Sequence, residues 1–133
     1  MTIFKTKRTE FIFGAFTTAT WDSSNHLKSD PNAFLFSLTN KDNKPCKMKI
    51  DENLHKYAIL CKSSNGVSFG YSNYQDFHNI HIFSFAGSIL CCTRLGHTYK
   101  HPQYGVNSNE ADRFLTGSRA CELSEIEVYQ KEK

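Results

Sequence analysis

The segment Cys46-Lys47-Met48-Lys49-Ile50 alternates apolar and charged side chains with a strict period of two. Only an extended strand sorts such a pattern, because successive side chains leave a strand on opposite faces, and both lysines are therefore expected to face water. Just upstream, Ala33 to Leu38 reads as a second strand, with Phe34, Phe36 and Leu38 on one face and Ala33, Leu35 and Ser37 on the other. The turn Thr39 to Pro45 joins the two into a hairpin with one wet face. Upstream again, Phe11, Phe13 and Ala15 alternate with Ile12, Gly14 and Phe16. Both faces of that strand are apolar, so it is expected to be covered on two sides. Gly14 in mid-strand implies a bulge or a close backbone approach. Between these strands lies a polar crossing, Trp21 to Pro31, read as a loop in which Pro31 biases Asp30 to an extended conformation.

The remaining chain continues in short pieces. Ile3 and Phe4 begin a strand, and Lys5 to Arg8 stay solvated. A charged connection, Asp51 to Lys56, precedes a short strand from Tyr57 to Cys61, and Phe69 and Gly70 are expected in a loop that runs to Gln75. His78 to Phe85 places Ile80 and Ile82 on one face and His81, Phe83 and Phe85 on the other; Ile89 to Cys92 forms a further strand. Gly96 to Gly105 reads as an ordered aromatic loop. Asn107 to Phe114 is the one briefly helical segment, with Ser108 or Asn109 as its cap, Glu110 and Asp112 suited to its N-terminal dipole, and Gly117 as its stop. In the last strand, Glu122 to Tyr129, Ile126 and Val128 point inward and Glu125 and Glu127 outward, and Gln130 to Lys133 is expected to fray. Many short strands with so little helix predict an all-β fold, an antiparallel two-sheet β-sandwich. The 133 residues are expected to form a single domain, with no repeat, linker or second unit read in them, and a chain of that size buries about two thirds of its unfolded surface.

Charge and cysteine usage narrow the chemistry. Sixteen basic against thirteen acidic residues are scattered and form no basic tract, so nucleic acid is not the expected partner. No apolar run approaches the twenty or so residues of a membrane helix. Five cysteines, Cys46, Cys61, Cys91, Cys92 and Cys121, point to a reducing compartment and to core or half-core thiols. Cys91-Cys92 is read either as an oxidant sensor or as part of a buried strand, and burial is preferred because only Arg94 is close enough in sequence to acidify a thiol. No local signature of a thiol enzyme surrounds the cysteines and no cofactor is expected; an enzyme using a Cys and a His is the alternative reading, whose mark would be a thiol and an imidazole converging in a concave pocket. His78 and His81, an odd separation on one strand, point to opposite faces and do not share zinc; His97 and His101 lie in a loop with no adjoining cysteine pair. Glu122, Glu125 and Glu127 either meet a basic partner or protect a strand edge from self-pairing, and the second is preferred. Trp21 is either an exposed binding anchor or a plug for the open end of the sandwich.

Phe13-Gly14-Ala15-Phe16, then Ser29-Asp30 ahead of Phe34-Leu35-Phe36, then Ser68-Phe69-Gly70, and finally Glu125-Ile126-Glu127-Val128-Tyr129 resemble, in order and spacing, the TLDc domain. The chain is similar above all to protist versions of it, in which a KSDPNAFLFSLTNKDNKP segment and a YKHPQY loop recur. The resemblance implies a two-sheet β-sandwich with marginal helix, and an intracellular, cytoplasmic protein. It further implies resistance to oxidative stress and binding to the vacuolar-type proton-pumping ATPase as a docking or regulatory module, with no catalytic residue set. The family domain begins further upstream, so the chain is expected to correspond to its later part, an N-terminally truncated copy. Where the family carries a run of glycines after Phe69, this chain has Gly70 followed by Tyr71, Ser72, Asn73 and Tyr74.

Overall fold

The computed structural model describes residues 1–20, 26–61, 68–71, 79–95, 98–105, 108–118 and 120–129. Ten strands are hydrogen-bonded there: β1 (Thr2–Thr6), β2 (Ile12–Phe16), β3 (Leu27–Lys28), β4 (Phe34–Thr39), β5 (Cys46–Lys49), β6 (Ile59–Leu60), β7 (Ser68–Phe69), β8 (Ile80–Phe85), β9 (Ser88–Thr93) and β10 (Ala120–Val128). A single turn of 3-10 helix, His55–Tyr57, and one short helix, α1 (Asn109–Arg113), complete the elements. The all-β expectation holds. The strands follow one continuous order, β3-β6-β7-β8-β9-β10-β1-β2-β4-β5, in which every pairing is antiparallel, so they form one curled ten-stranded sheet and not two separate ladders.

The curl turns on β10. Its first residues pair with β9, Cys121 opposite Cys91, and its later residues pair with β1, Leu123 opposite Thr6 and Ile126 opposite Phe4. A bulge sits at the change of partner, where Thr6 faces Leu123 but Lys5 faces Glu125, leaving Ser124 as the extra residue. Such a bulge shifts the alternation by one residue. Leu123 before it and Ile126 after it thereby share the inner face, and Glu125 and Glu127 are turned outward.

Inside the curl lies one continuous core. Phe4, Phe13, Leu35 and Met48 come from the β1-β2-β4-β5 half, and Ile59, Phe69, Ile80, Ile82 and Cys91 from the other. The Phe4 and Phe13 rings meet at 5.2 Å between centroids, and full burial of each contributes about 1.5–3 kcal/mol. Tyr99 ties the halves: it bridges to Ile50 at the end of β5, and its buried hydroxyl donates to the Ala58 carbonyl at 2.8 Å ahead of β6. α1 is capped by Ser108, whose Oγ accepts from the Ala111 N–H at 3.1 Å, and stopped at Gly117, whose φ of +88° suits glycine.

Several boundaries differ from those read in the sequence. Phe69 belongs to a strand, β7, although its two residues are too short to show a period. The polar crossing contains β3, which pairs with β6. Gly14 answers to the close approach and not to the bulge: it pairs in register with Phe36, the β2–β4 shift falling between Ile12 and Phe13 with Leu38 as the extra residue on β4, and a Cβ on Gly14 would lie 2.3 Å from the Thr2 carbonyl oxygen and 2.5 Å from Phe36 Cζ. Gly14→Ala is therefore expected to cost about 1–3 kcal/mol in urea unfolding. Gly105→Ala, which would meet nothing within 4 Å, should leave the midpoint unchanged within error.

Candidate functional site

Registers across β10, β1, β2, β4 and β5 define what the sheet presents outward. One row runs Glu127–Ile3–Gly14–Phe36–Lys47, and the next includes Phe16–Phe34–Lys49. The inner row of β4 holds Leu35 and the small Ser37, preceded by Ala33 just ahead of the strand, and all three are buried. Ser37 is satisfied there by the Asn40 side-chain amide, which donates to its Oγ at 2.8 Å. The bulky residues face out: Phe34 and Phe36 are half-buried and Leu38 is 49% exposed. The expectation that Phe11 to Phe16 is covered on both sides is thus corrected at its outer face, where Phe16 is only half-buried.

Physical contacts hold this outer face together. Phe16 and Phe34 stack at 5.2 Å, Phe34 and Phe36 tilt together at 6.3 Å, and Phe36 lies over the bare backbone of Gly14. Lys47 places its ammonium 4.2 Å from the centre of the Phe34 ring, a cation–π contact that keeps the charge at the rim. Met1, Ile3, Phe34, Phe36, Leu38 and Pro45 line a mainly apolar cleft of about 490 Å³ on this face. Lys47 also lines it and Lys49 follows on the same face of β5; on the β10 side, Glu127 stands opposite Ile3 and Glu125 opposite Lys5.

Residues singled out from the sequence fall into separate places. Phe13, Ala15 and Phe69 are in the core, and Phe16, Phe34 and Phe36 form the outer face. Ser29 is exposed beside Asp30, which is buried and accepts from Thr17 Oγ1 at 2.7 Å, the Thr18 N–H at 2.6 Å and the Asn32 N–H at 2.9 Å. Burial pushes the Asp30 carboxyl up, but those hydrogen bonds outweigh it and hold the group below its ordinary value. Asp30 is thus a splice between the end of β2 and the start of β4. Gly70, at φ +77°, packs its α-carbon against Asn79, whose Oδ1 accepts from the Tyr99 N–H at 3.1 Å. Ile126 and Val128 share the face of Phe4 and Thr2 yet are 37% and 67% exposed. The cause is that β10 beyond Leu123 pairs with β1 alone, which leaves its other side an open edge. Trp21, His78 and His97 lie outside the described residues.

A thiol and an imidazole do meet in one concavity. Cys46 and His101 both line a cleft of about 460 Å³ with Asp42, Tyr104 and Phe114. His101 Nδ1 accepts from the Gln103 N–H at 3.0 Å and the Tyr104 N–H at 3.1 Å, and its ring is held against Tyr104 and Phe114, each at 4.3 Å. Burial lowers the His101 pKa, while burial and Asp42 raise that of Cys46. A thiolate–imidazolium pair needs the opposite shifts. The arrangement serves the turn. Among the described residues, no three His, Cys, Asp or Glu side chains gather as a metal site, and no helix is long and apolar enough to cross a membrane.

The family model of the TLDc domain matches residues 1–132. The chain belongs to the TLDc family. No curated protein and no solved structure matches it. Within this TLDc chain, the Tyr99-to-Tyr104 loop is a structural clasp, and its histidine makes stability depend on pH. The folded pKa of His101 is lowered, so its contribution is complete above the ordinary imidazole value near 6.5 and is lost as pH falls through the lower folded value. His101→Asn keeps an acceptor for the two N–H groups without titrating. Thermal unfolding from pH 8 to pH 5 should lower the midpoint of the parent chain more than that of the variant.

Proposed function

We propose that this TLDc chain is a non-catalytic, cytoplasmic protein-binding module that docks through the outer face of β1, β2, β4 and β5. The observation that carries this reading is the uncovered row of large apolar side chains, Phe34, Phe36 and Leu38, in a sheet whose inner face keeps the small ones. An apolar patch rimmed by charge is the ordinary composition of a docking surface. Its two borders differ in sign, so the partner is expected to present an apolar strip with acid toward Lys47 and Lys49 and base toward Glu125 and Glu127. Family resemblance supplies the partner class, a peripheral subunit of the vacuolar-type ATPase, and the link with oxidative-stress resistance. The two halves of the sheet on either side of β10 are read as the facing layers of the sandwich that the resemblance implies.

The same bare face favours one second reading. If the chain is the later part of a longer single domain, the face receives earlier elements of that domain and the chain alone has no autonomous activity. Affinity capture from cytosolic extract, read by mass spectrometry against a heat-unfolded control, separates the two. The docking reading predicts recovery of peripheral ATPase subunits by the folded chain and a drop of about tenfold or more with Leu38→Glu, since burying one charge against an apolar partner costs well over 1.4 kcal/mol. Equal recovery by the variant contradicts docking on this face, and recovery of nothing specific contradicts the module.

A further inference from the structure

Cys121 on β10 and Cys91 on β9 are register partners in an antiparallel ladder. Residues so placed have Cα atoms about 4.5–5.5 Å apart, within the span that a disulfide bridges. Both side chains belong to the inner face, yet their access differs: Cys91 is fully buried, whereas Cys121 is half-buried. Cys121 also lines a cleft of about 350 Å³ together with Lys7, Arg8, Thr116 and Glu122, the last paired with Lys7 at 3.5 Å. Cys121 is thus the half-buried member of the pair and borders a cleft, whereas its register partner Cys91 lies in the core.

The electrostatics agree with this division. A hydrogen bond from the Cys91 thiol favours the Cys121 thiolate and, with a smaller contribution from Thr116, lowers the Cys121 pKa against the opposing effect of burial. The same hydrogen bond and burial push Cys91 well above its ordinary value. Cys46 and Cys92 are raised, each chiefly by burial. Cys121 is therefore set apart by position and environment together.

We propose that Cys121 and Cys91 form a hydroperoxide-responsive dithiol site, with Cys121 as the attacking sulfur and Cys91 as the resolving one. The Cys121 thiolate attacks the terminal oxygen of the hydroperoxide; an S–O bond forms, the O–O bond breaks, and the alkoxide or hydroxide leaves with a proton as alcohol or water. Cys91 sulfur then attacks the Cys121 sulfenic acid; the S–S bond forms, the S–O bond breaks, and the hydroxyl leaves as water with the Cys91 proton. The two thiols lose two electrons, and the hydroperoxide gains them. A directly cross-strand disulfide departs from relaxed geometry, so a dithiol reductant is expected to reverse it. The site is independent of the docking face, and it joins β9 to β10 at the point where the sheet turns.

The test is titration of the whole chain with hydrogen peroxide, followed by intact-mass measurement and peptide mapping without reduction. The proposal predicts loss of two hydrogen atoms, a linked Cys91–Cys121 peptide pair, and recovery on adding dithiothreitol. In Cys91→Ala, Cys121 should instead gain oxygen and be trapped by dimedone, at roughly the parent rate or up to about tenfold slower, because the thiolate fraction falls when the hydrogen bond is lost. In Cys121→Ala, Cys91 should stay reduced at the same peroxide dose. First oxidation at Cys46, Cys61 or Cys92, or a parent chain whose Cys121 runs on to sulfinic acid without a linked pair, overturns the proposal. Should Cys91→Ala fail to fold, the linked pair in the parent chain and the Cys121→Ala result decide it.

Discussion

One strand with two allegiances governs this molecule. β10 gives its first residues to β9 and its later ones to β1, and that exchange makes the two halves one continuous strand ladder, with the Ile50–Tyr99 bridge as a second backbone link between them. The bulge at Ser124 is what makes the exchange compatible with a single core. An uninterrupted alternation from Cys121 through Leu123 would carry Glu125 inward, where an unpaired carboxylate costs several kcal/mol. Skipping one residue sends Glu125 and Glu127 to the rim and brings Ile126 to the face of Phe4.

The strand also sets where chemistry is found. Its buried half carries Cys121 to Cys91, and its open half carries two carboxylates to the edge of the apolar outer face. An open strand edge invites pairing with another chain, and charged side chains blunt that tendency. Those carboxylates therefore serve the edge whether or not a basic partner meets them. Tyr99 and Asp30 act at the opposite side of the core as fixed points, each a buried polar group whose hydrogen bonds lie within the protein.

Much of the fold was legible wherever the period-two pattern ran for five residues or more. β4, β5 and β8 needed nothing beyond alternation, and capping chemistry narrowed the start of α1 to Ser108 or Asn109, of which the structure uses Ser108. Two-residue strands such as β3 and β7 carry no period, so a polar crossing and a glycine-flanked Phe69 read as loops. The bulge was invisible, since it is a property of the pairing between β1 and β10 and not of β10 itself. The candidate face was half legible: Phe34, Phe36 and Leu38 were placed together, but alternation cannot say which face of an apolar strand is the covered one. Volume would mislead here, because the smaller side chains, Ala33 and Ser37, are those that the core accepts. The pairing of Cys121 with Cys91 lay further out of reach, because it depends on strand order across thirty residues of sequence.

The central claim is that the outer face of β1, β2, β4 and β5 is where a partner binds. Amide hydrogen exchange on the chain, alone and saturated with a recovered ATPase subunit, measures this directly. The account predicts added protection confined to β1, β2, β4, β5 and the open half of β10, with β6 to β9 unchanged. Protection centred on β6 to β9, or on the Tyr99-to-Tyr104 loop with β4 and β5 unaffected, would contradict it.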